Sequence, residues 1–310
     1  MTDDSTLSGP KSGGCKNTAI LIYSVGISPR FFTFGAMPLL NILFWNVQKK
    51  DLTAQIVNLA KSRDVDILVL AENPVDSVRL VKALNEEGGD YFPNHPYSFC
   101  EKITVITKFH YDFIAPVEEP GRLTTRQVRL PDTEEFLLTA LHLSDKRNNS
   151  VESKNREAIK AAENLIETEI KFQNYRHLVL GDFNMNPFET GMVAADSFHG
   201  TMSARIAKRR GFRKIRGVTY PYFYNPTWSL FGDLNKEVSG TYHYQRAEYV
   251  CYEWNVFDQV LIRPGLIDNF VKHSLEIVQH DGVTSLITTR KTPDAVNHSD
   301  HLPLFFTLRI

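Results

Sequence analysis

Short apolar runs that end abruptly on a polar side chain recur along this chain. Leu178–Val179–Leu180 reads as a buried strand that stops at Gly181 and is followed by Asp182, Phe183 and Asn184. Leu39–Val47 (LLNILFWNV) is a second strand, with Asn46 near its end, and Ile67–Leu70 is a third, which delivers Glu72. Leu302–Ile310 is a closing strand directly after His298–His301 (HSDH). Taken alone, Gly-Asp and Asn-Pro are ordinary turn dipeptides and Asp182 an ordinary helix cap. Four strands that each present a polar group at one end indicate a single shared site.

Helical periodicity falls between these strands. Asp51 opens a helix whose Leu52, Ile56, Leu59 and Ala60 share one face, and a second helix spans Asp76–Glu87. Ser150–Phe172 is the longest. Ala158, Ala162, Leu165 and Ile170 mark its core-facing stripe, with Glu152, Lys154, Glu157, Lys160, Glu163 and Glu167 toward solvent. Strand, helix and strand within about thirty residues form a βα unit of mixed or parallel sheets, so Asn46 and Glu72 emerge at the same edge. Further on come a turn at Phe92–Tyr97, a strand at Ile103–Thr107 and a loop at Pro116–Thr125. Strands Gln127–Leu130 and Phe136–His142 then flank the turn Pro131–Glu134 and leave His142 near a strand end.

Asp258 stands among apolar neighbours in Val256–Ile262 (VFDQVLI). A buried lone carboxylate is costly, so it requires a partner such as a histidine or backbone donors. The preceding Tyr220–Trp254 is dense in aromatics and punctuated by Gly, Pro and Asn, which makes it an ordered loop or short strands. Most of these rings pin the loop to the core; a few are free to stack on a planar ligand group.

With 310 residues and no linker after Leu39, the chain reads as one domain over 38–310 behind an N-terminal extension over 1–37. The extension is polar at its start, and its apolar stretch Ala19–Ile27 is too short to span a bilayer. Lys plus Arg number 35 against 36 acids, so net charge drives the chain toward neither nucleic acid nor membrane. An anionic partner therefore needs a local patch. Arg205, Lys208, Arg209, Arg210, Arg213, Lys214 and Arg216 supply one, either a solvated face or a nucleic-acid contact. Cys15, Cys100 and Cys251 are scattered, without metal-ligand spacing, as expected of a cytoplasmic protein with no membrane partner.

The polar strand ends are Asn46, Glu72, His142, Asp182, Asn184, Asp258, Asp300 and His301. Their oxygens are hard ligands and no cysteine joins them, which implies Mg²⁺ or Mn²⁺. Two histidines beside carboxylates supply proton transfer near neutral pH. These are the requirements of phosphate ester hydrolysis.

The ordered set Trp45–Asn46, Glu72, His142, Gly181–Asn184, the FDQVL segment with Asp258, and Ser299–His301 resembles the endonuclease/exonuclease/phosphatase superfamily. The resemblance runs from about Leu39 to the C-terminus. It implies the deoxyribonuclease I-like α/β fold, a four-layer sandwich of two mixed β-sheets flanked by helices. It further implies that Glu72 binds the divalent ion with Asn46 beside it and Asp300 close by. Asp182 and Asn184 would orient the attacking water and contact the phosphate. His301, oriented by Asp258, would contact the phosphate or act as base, and His142 would protonate the leaving group. No tyrosine of Ser98–Thr107 matches the aromatic that several branches place beside the phosphate; Arg126 or Lys102 is a substitute cation. The expected activity is a metal-dependent nuclease, DNA favoured over RNA. A phosphatase or phosphodiesterase for a small or lipid-linked ester is the alternative, and a catalytically silent binding protein a third reading.

Overall fold

The computed structural model describes residues 38–310 apart from 147–148, 235–236 and 248. The extension expected over 1–37, with Cys15 and Ala19–Ile27, lies outside the described residues.

Strand β1 (Leu39–Asn46) is joined by helix α1 (Thr53–Ser62) to β2 (Ile67–Ala71). The two strands are parallel, with Asn46 opposite Ala71, so Asn46 and Glu72 leave the sheet at one edge as expected. Helix α2 (Ser77–Glu86) leads to β3 (Ile103–Thr107), antiparallel to β2. A second sheet begins with β4 (Ile114–Glu118), β5 (Leu123–Val128) and β6 (Phe136–His142). Helix α3 (Val151–Phe172) then crosses to β7 (His177–Asp182), which is parallel to β6 with Asp182 opposite His142.

The chain continues through α4 (Thr190–Val193), β8 (Gly200–Thr201), α5 (Ala204–Arg210) and a hairpin of β9 (Phe212–Ile215) and β10 (Val218–Pro221). After β11 (Phe223–Tyr224) comes a second hairpin, β12 (Tyr242–Tyr244) with β13 (Glu253–Asn255). Then follow β14 (Asp258–Ile262), β15 (Glu276–Ile277) and β16 (Leu304–Arg309). The first sheet has the order β15-β16-β1-β2-β3 and the second β4-β5-β6-β7-β14-β11-β8. The result is an α/β sandwich of two mixed sheets flanked by helices.

Side-chain alternation aims the site. Leu178 and Leu180 join the main core with Leu138, Ala140, Val260 and Ile262, whereas Val179 belongs to a second core under α3 with Ala158, Ala162 and Leu165. Counting by twos puts Asp182, His142 and Asp258 on the inner face, at the end of the sandwich. Register reinforces this, since Asp182 stands opposite Asp258 across the β7–β14 pair.

Several local expectations are corrected. The first helix begins at Thr53; the Asp51 carboxylate instead accepts from the backbone and hydroxyl of Thr53 in the preceding turn. Of Pro116–Thr125 only 119–122 form a loop; the rest belongs to β4 and β5. Pro116 is tolerated because β4 is an edge strand, and the register shifts between Pro116 and Glu118. Ile170 is exposed. Lys154, expected on the solvent face, is buried; its Nζ donates to the Ser144 carbonyl at 2.5 Å. Burial pushes its ammonium down to about 8 against the pull of Asp182 and Glu157.

Gly181 has φ +149°, and a Cβ there would stand 2.0 Å from the Leu141 carbonyl oxygen of the neighbouring strand. Gly181→Ala must therefore spread β6 from β7. We expect a stability loss of at least about 2 kcal/mol in urea unfolding; a loss within error would show that the pair relaxes without strain.

Candidate active site

Both sheets end at a pocket of about 400 Å³ lined by Asn46, Glu72, His142, Asp182, Asn184, Asp300 and His301. Seven of the eight strand-end residues singled out in the sequence thus meet in one place. The eighth, Asp258, lies directly behind His301.

Asp182 is the hub, and it is 1% exposed. Its Oδ2 accepts from Asn46 Nδ2 at 3.0 Å, and its Oδ1 accepts from the Asn184 backbone N–H at 2.8 Å. His142 Nε2 lies 3.6 Å from Asp182 Oδ2 and 3.5 Å from Glu72 Oε1, so it stands between the two carboxylates. His301 Nε2 approaches the same Asp182 oxygen at 3.8 Å, while its Nδ1 meets Asp258 Oδ2 at 2.8 Å. Asn184 is locked by donating to the Leu143 carbonyl at 3.0 Å. Glu72 and Asn184 both hold positive φ, 52° and 51°, an uncommon conformation for side-chain-bearing residues that concentrates at functional sites.

His301 is delivered from the opposite sheet by a fixed turn. The Ser299 hydroxyl accepts from the His301 N–H at 3.1 Å and donates to the Asn46 carbonyl at 2.6 Å. Trp45 Nε1 donates to the His301 carbonyl at 2.8 Å. This accounts for the Trp-Asn and Ser-Asp-His sequences: they fasten to each other. Burial alone would push the His301 ring down, but Asp258, Asp182 and Asp300 outweigh it and hold it up at about 10. The three carboxylates thus favour the protonated ring.

The donor set suits a hard divalent cation. Asn46, Glu72 and Asp182 present oxygens, and Gln48 Oε1, also at the pocket, is buried without a hydrogen-bond partner. Asp182, Asp258 and His301 also gather ligand atoms within 4.8 Å of one another, but His301 Nδ1 is already committed to Asp258.

Two expectations do not reach the site. Arg126 is buried within β5, where Nη2 donates to Asn94 Oδ1 at 2.7 Å and to Ser98 Oγ at 3.0 Å; it braces that loop and does not line the pocket. Lys102 does not line it either. Arg205, Lys208, Arg209, Arg210, Arg213, Lys214 and Arg216 lie on α5, β9 and the turn after it, none of them at the pocket. α5 contacts Pro264–Asn269, which follows the end of β14 remote from Asp258, and Lys208 pairs with Asp268 there. The topology carries the run to the opposite pole.

Other pocket residues were not singled out from the sequence. Tyr242, Tyr244, Arg246, Cys251 and Tyr252 line it from the β12–β13 hairpin and its connecting loop, and Lys146 from the turn after β6. The Tyr242 ring lies 4.8 Å from that of His301 and stacks on Phe257 at 5.2 Å. The signal was the aromatic density of Tyr220–Trp254; which rings face the site depends on hairpin register.

A sandwich of this topology, with polar ends gathered at one edge, is the endonuclease/exonuclease/phosphatase fold. An endonuclease/exonuclease/phosphatase family protein from Bacteroides thetaiotaomicron superposes with a TM-score of 0.52 at 15% identity, over 87% of this chain and 97% of that one. A truncated TDP2 from Caenorhabditis elegans gives 0.50 at 15% identity, over 88% and 98%. No protein-family model matches the sequence, and no curated protein matches it.

The raised His301 pKa has a measurable consequence. Its imidazolium stabilises the fold fully below the unfolded value of about 6.5, and that contribution is lost as pH rises through about 10. In a divalent-free NMR titration the His301 ring stays charged at pH 8, whereas in Asp258→Asn it titrates well below that. A wild-type ring that is neutral at pH 8 would contradict the assignment.

Proposed function

We propose that this protein is a divalent-metal-dependent phosphodiesterase that cleaves nucleic acid, with DNA the favoured polymer. The observation that carries this reading is the convergence of Glu72, Asp182 and Asn184 between two histidines of different character. Glu72, with Asn46 and Gln48 beside it, would hold Mg²⁺ or Mn²⁺, and Asp300 lies close by. Such an ion, when bound, neutralises phosphate charge.

The protein's own groups divide the remaining work. His301 is kept cationic by Asp258 and so contacts a phosphate oxygen, stabilising the charge that builds as the bond breaks. Asp182, the carboxylate beside it, orients the attacking water and takes its proton, and the amide of Asn184 fixes the phosphate. His142, held between Glu72 and Asp182, donates a proton to the leaving oxygen through Nε2. Tyr242, Tyr244 and Tyr252 offer ring faces for nucleobases next to the reacting centre, and Lys146 and Arg246 offer positive charge.

A second reading is a phosphatase or phosphodiesterase acting on a small or lipid-linked ester. It is favoured by the pocket itself, whose volume of about 400 Å³ is that of a small-molecule site.

Cleavage of supercoiled plasmid, single-stranded DNA, RNA and small phosphate esters, each in Mg²⁺ and in Mn²⁺, separates the readings. We expect polymer cleavage that chelation abolishes. Glu72→Gln and His301→Ala should each lower kcat/KM by roughly a hundredfold or more. Turnover of small esters alone would select the second reading, and metal-independent hydrolysis would overturn both.

A further inference from the structure

From Met202 to Val218 the chain carries seven cations and no acidic residue. The fold places this stretch away from the pocket. Arg205 and Arg209 of α5 share an open cleft of about 750 Å³ with Lys272 and Arg309, where the one acidic residue, Asp268, is paired with Lys208. Arg309 is the last residue of β16, the strand that leaves the site after His301. At the rise of a β-strand, six residues put this cleft roughly 20 Å from the catalytic groups.

Charge is only half of its character. Met202, Ile206, Phe212, Ile215 and Val218 are all exposed, at between 37 and 61%. Among the described residues β9 and β10 pair only with each other, and Ile215 stands opposite Val218 across the two-residue turn Arg216–Gly217. Both turn residues have positive φ, 48° and 88°, which defines a tight hairpin tip. That tip carries an aliphatic pair beside Arg216, with Arg213 and Lys214 on the strand below.

A nucleic-acid backbone rewards the cations but leaves exposed Ile, Val and Met in water. A bilayer surface with anionic headgroups rewards both, because the aliphatic groups enter the acyl boundary while Lys and Arg meet lipid phosphates. We propose that this pole docks on an anionic lipid surface through the β9–β10 tip, with the cations of α5 behind it, leaving the catalytic pocket facing the aqueous phase. This goes beyond the phosphodiesterase reading and does not rest on it, since docking requires no hydrolysis.

Flotation of the full chain with phosphatidylcholine vesicles, with and without phosphatidylserine, tests it in the presence of chelator. The wild-type protein floats with the anionic vesicles only, and less as salt rises. Two double variants, Ile215→Ser with Val218→Ser and Arg213→Glu with Lys214→Glu, each weaken partitioning at least about tenfold while melting as the wild type does. Absence of flotation with anionic vesicles overturns the proposal, as does equal flotation with neutral ones. Retention on vesicles by the serine variant, with duplex DNA binding lost in the glutamate variant, reassigns the pole to nucleic acid.

Discussion

Two buried carboxylates facing each other set the terms for this structure. Asp182 and Asp258 are register partners on adjacent strands, 1% and 0% exposed. Like charges so placed are costly to bury, by several kcal/mol each without compensation. The compensation is His301, which meets Asp258 through one ring nitrogen and faces Asp182 with the other. Because His301 follows from the opposite sheet, neutralising the pair also closes the sandwich at that end. Ser299, Trp45 and Asn46 tie the same corner with three further hydrogen bonds. The groups proposed to perform the chemistry are thus also what binds one sheet edge to the other.

The surroundings follow from that corner. The turn after β6 must hold Leu143 where its carbonyl accepts from Asn184, and it is anchored from α3. Lys154 donates to the Ser144 carbonyl, and the Ser144 N–H and hydroxyl donate to Glu157. The β12–β13 hairpin is fixed through the Leu302 N–H, which donates to the Thr241 carbonyl, so Tyr242 reaches His301. One wall of the pocket is therefore positioned by the same segment that supplies the histidine. At the other pole, Glu169 accepts from both His177 and Arg263 in full burial, a second charge cluster that fastens α3 to β7 and β14.

Much of the site was legible because strands have a period of two and end where a polar residue can be exposed. That logic placed Asn46, Glu72, His142 and Asp182 together, and the cost of a lone buried carboxylate required a partner for Asp258, a histidine or backbone donors, which the structure supplies as His301. It fails where a side chain's fate depends on a remote backbone. Lys154 has the local pattern of a solvent-facing lysine, and only the turn at Ser144 makes it a buried donor. Arg126 is a cation near a strand end by sequence, yet strand pairing sets it facing the Asn94–Ser98 loop. The basic run follows Asp182 by little more than twenty residues, but β8 and β11 lie at the sheet's far edge and take it with them.

In the proposed site Glu72, with Asn46 and Gln48 beside it, holds the cation, apart from the Asp258–His301 pair. Anomalous diffraction from crystals equilibrated with Mn²⁺ tests this most directly. A peak bonded to Glu72 is expected, with the Asp258–His301 hydrogen bond intact. A peak bonded to Asp258 and His301, with Glu72 uninvolved, would contradict it.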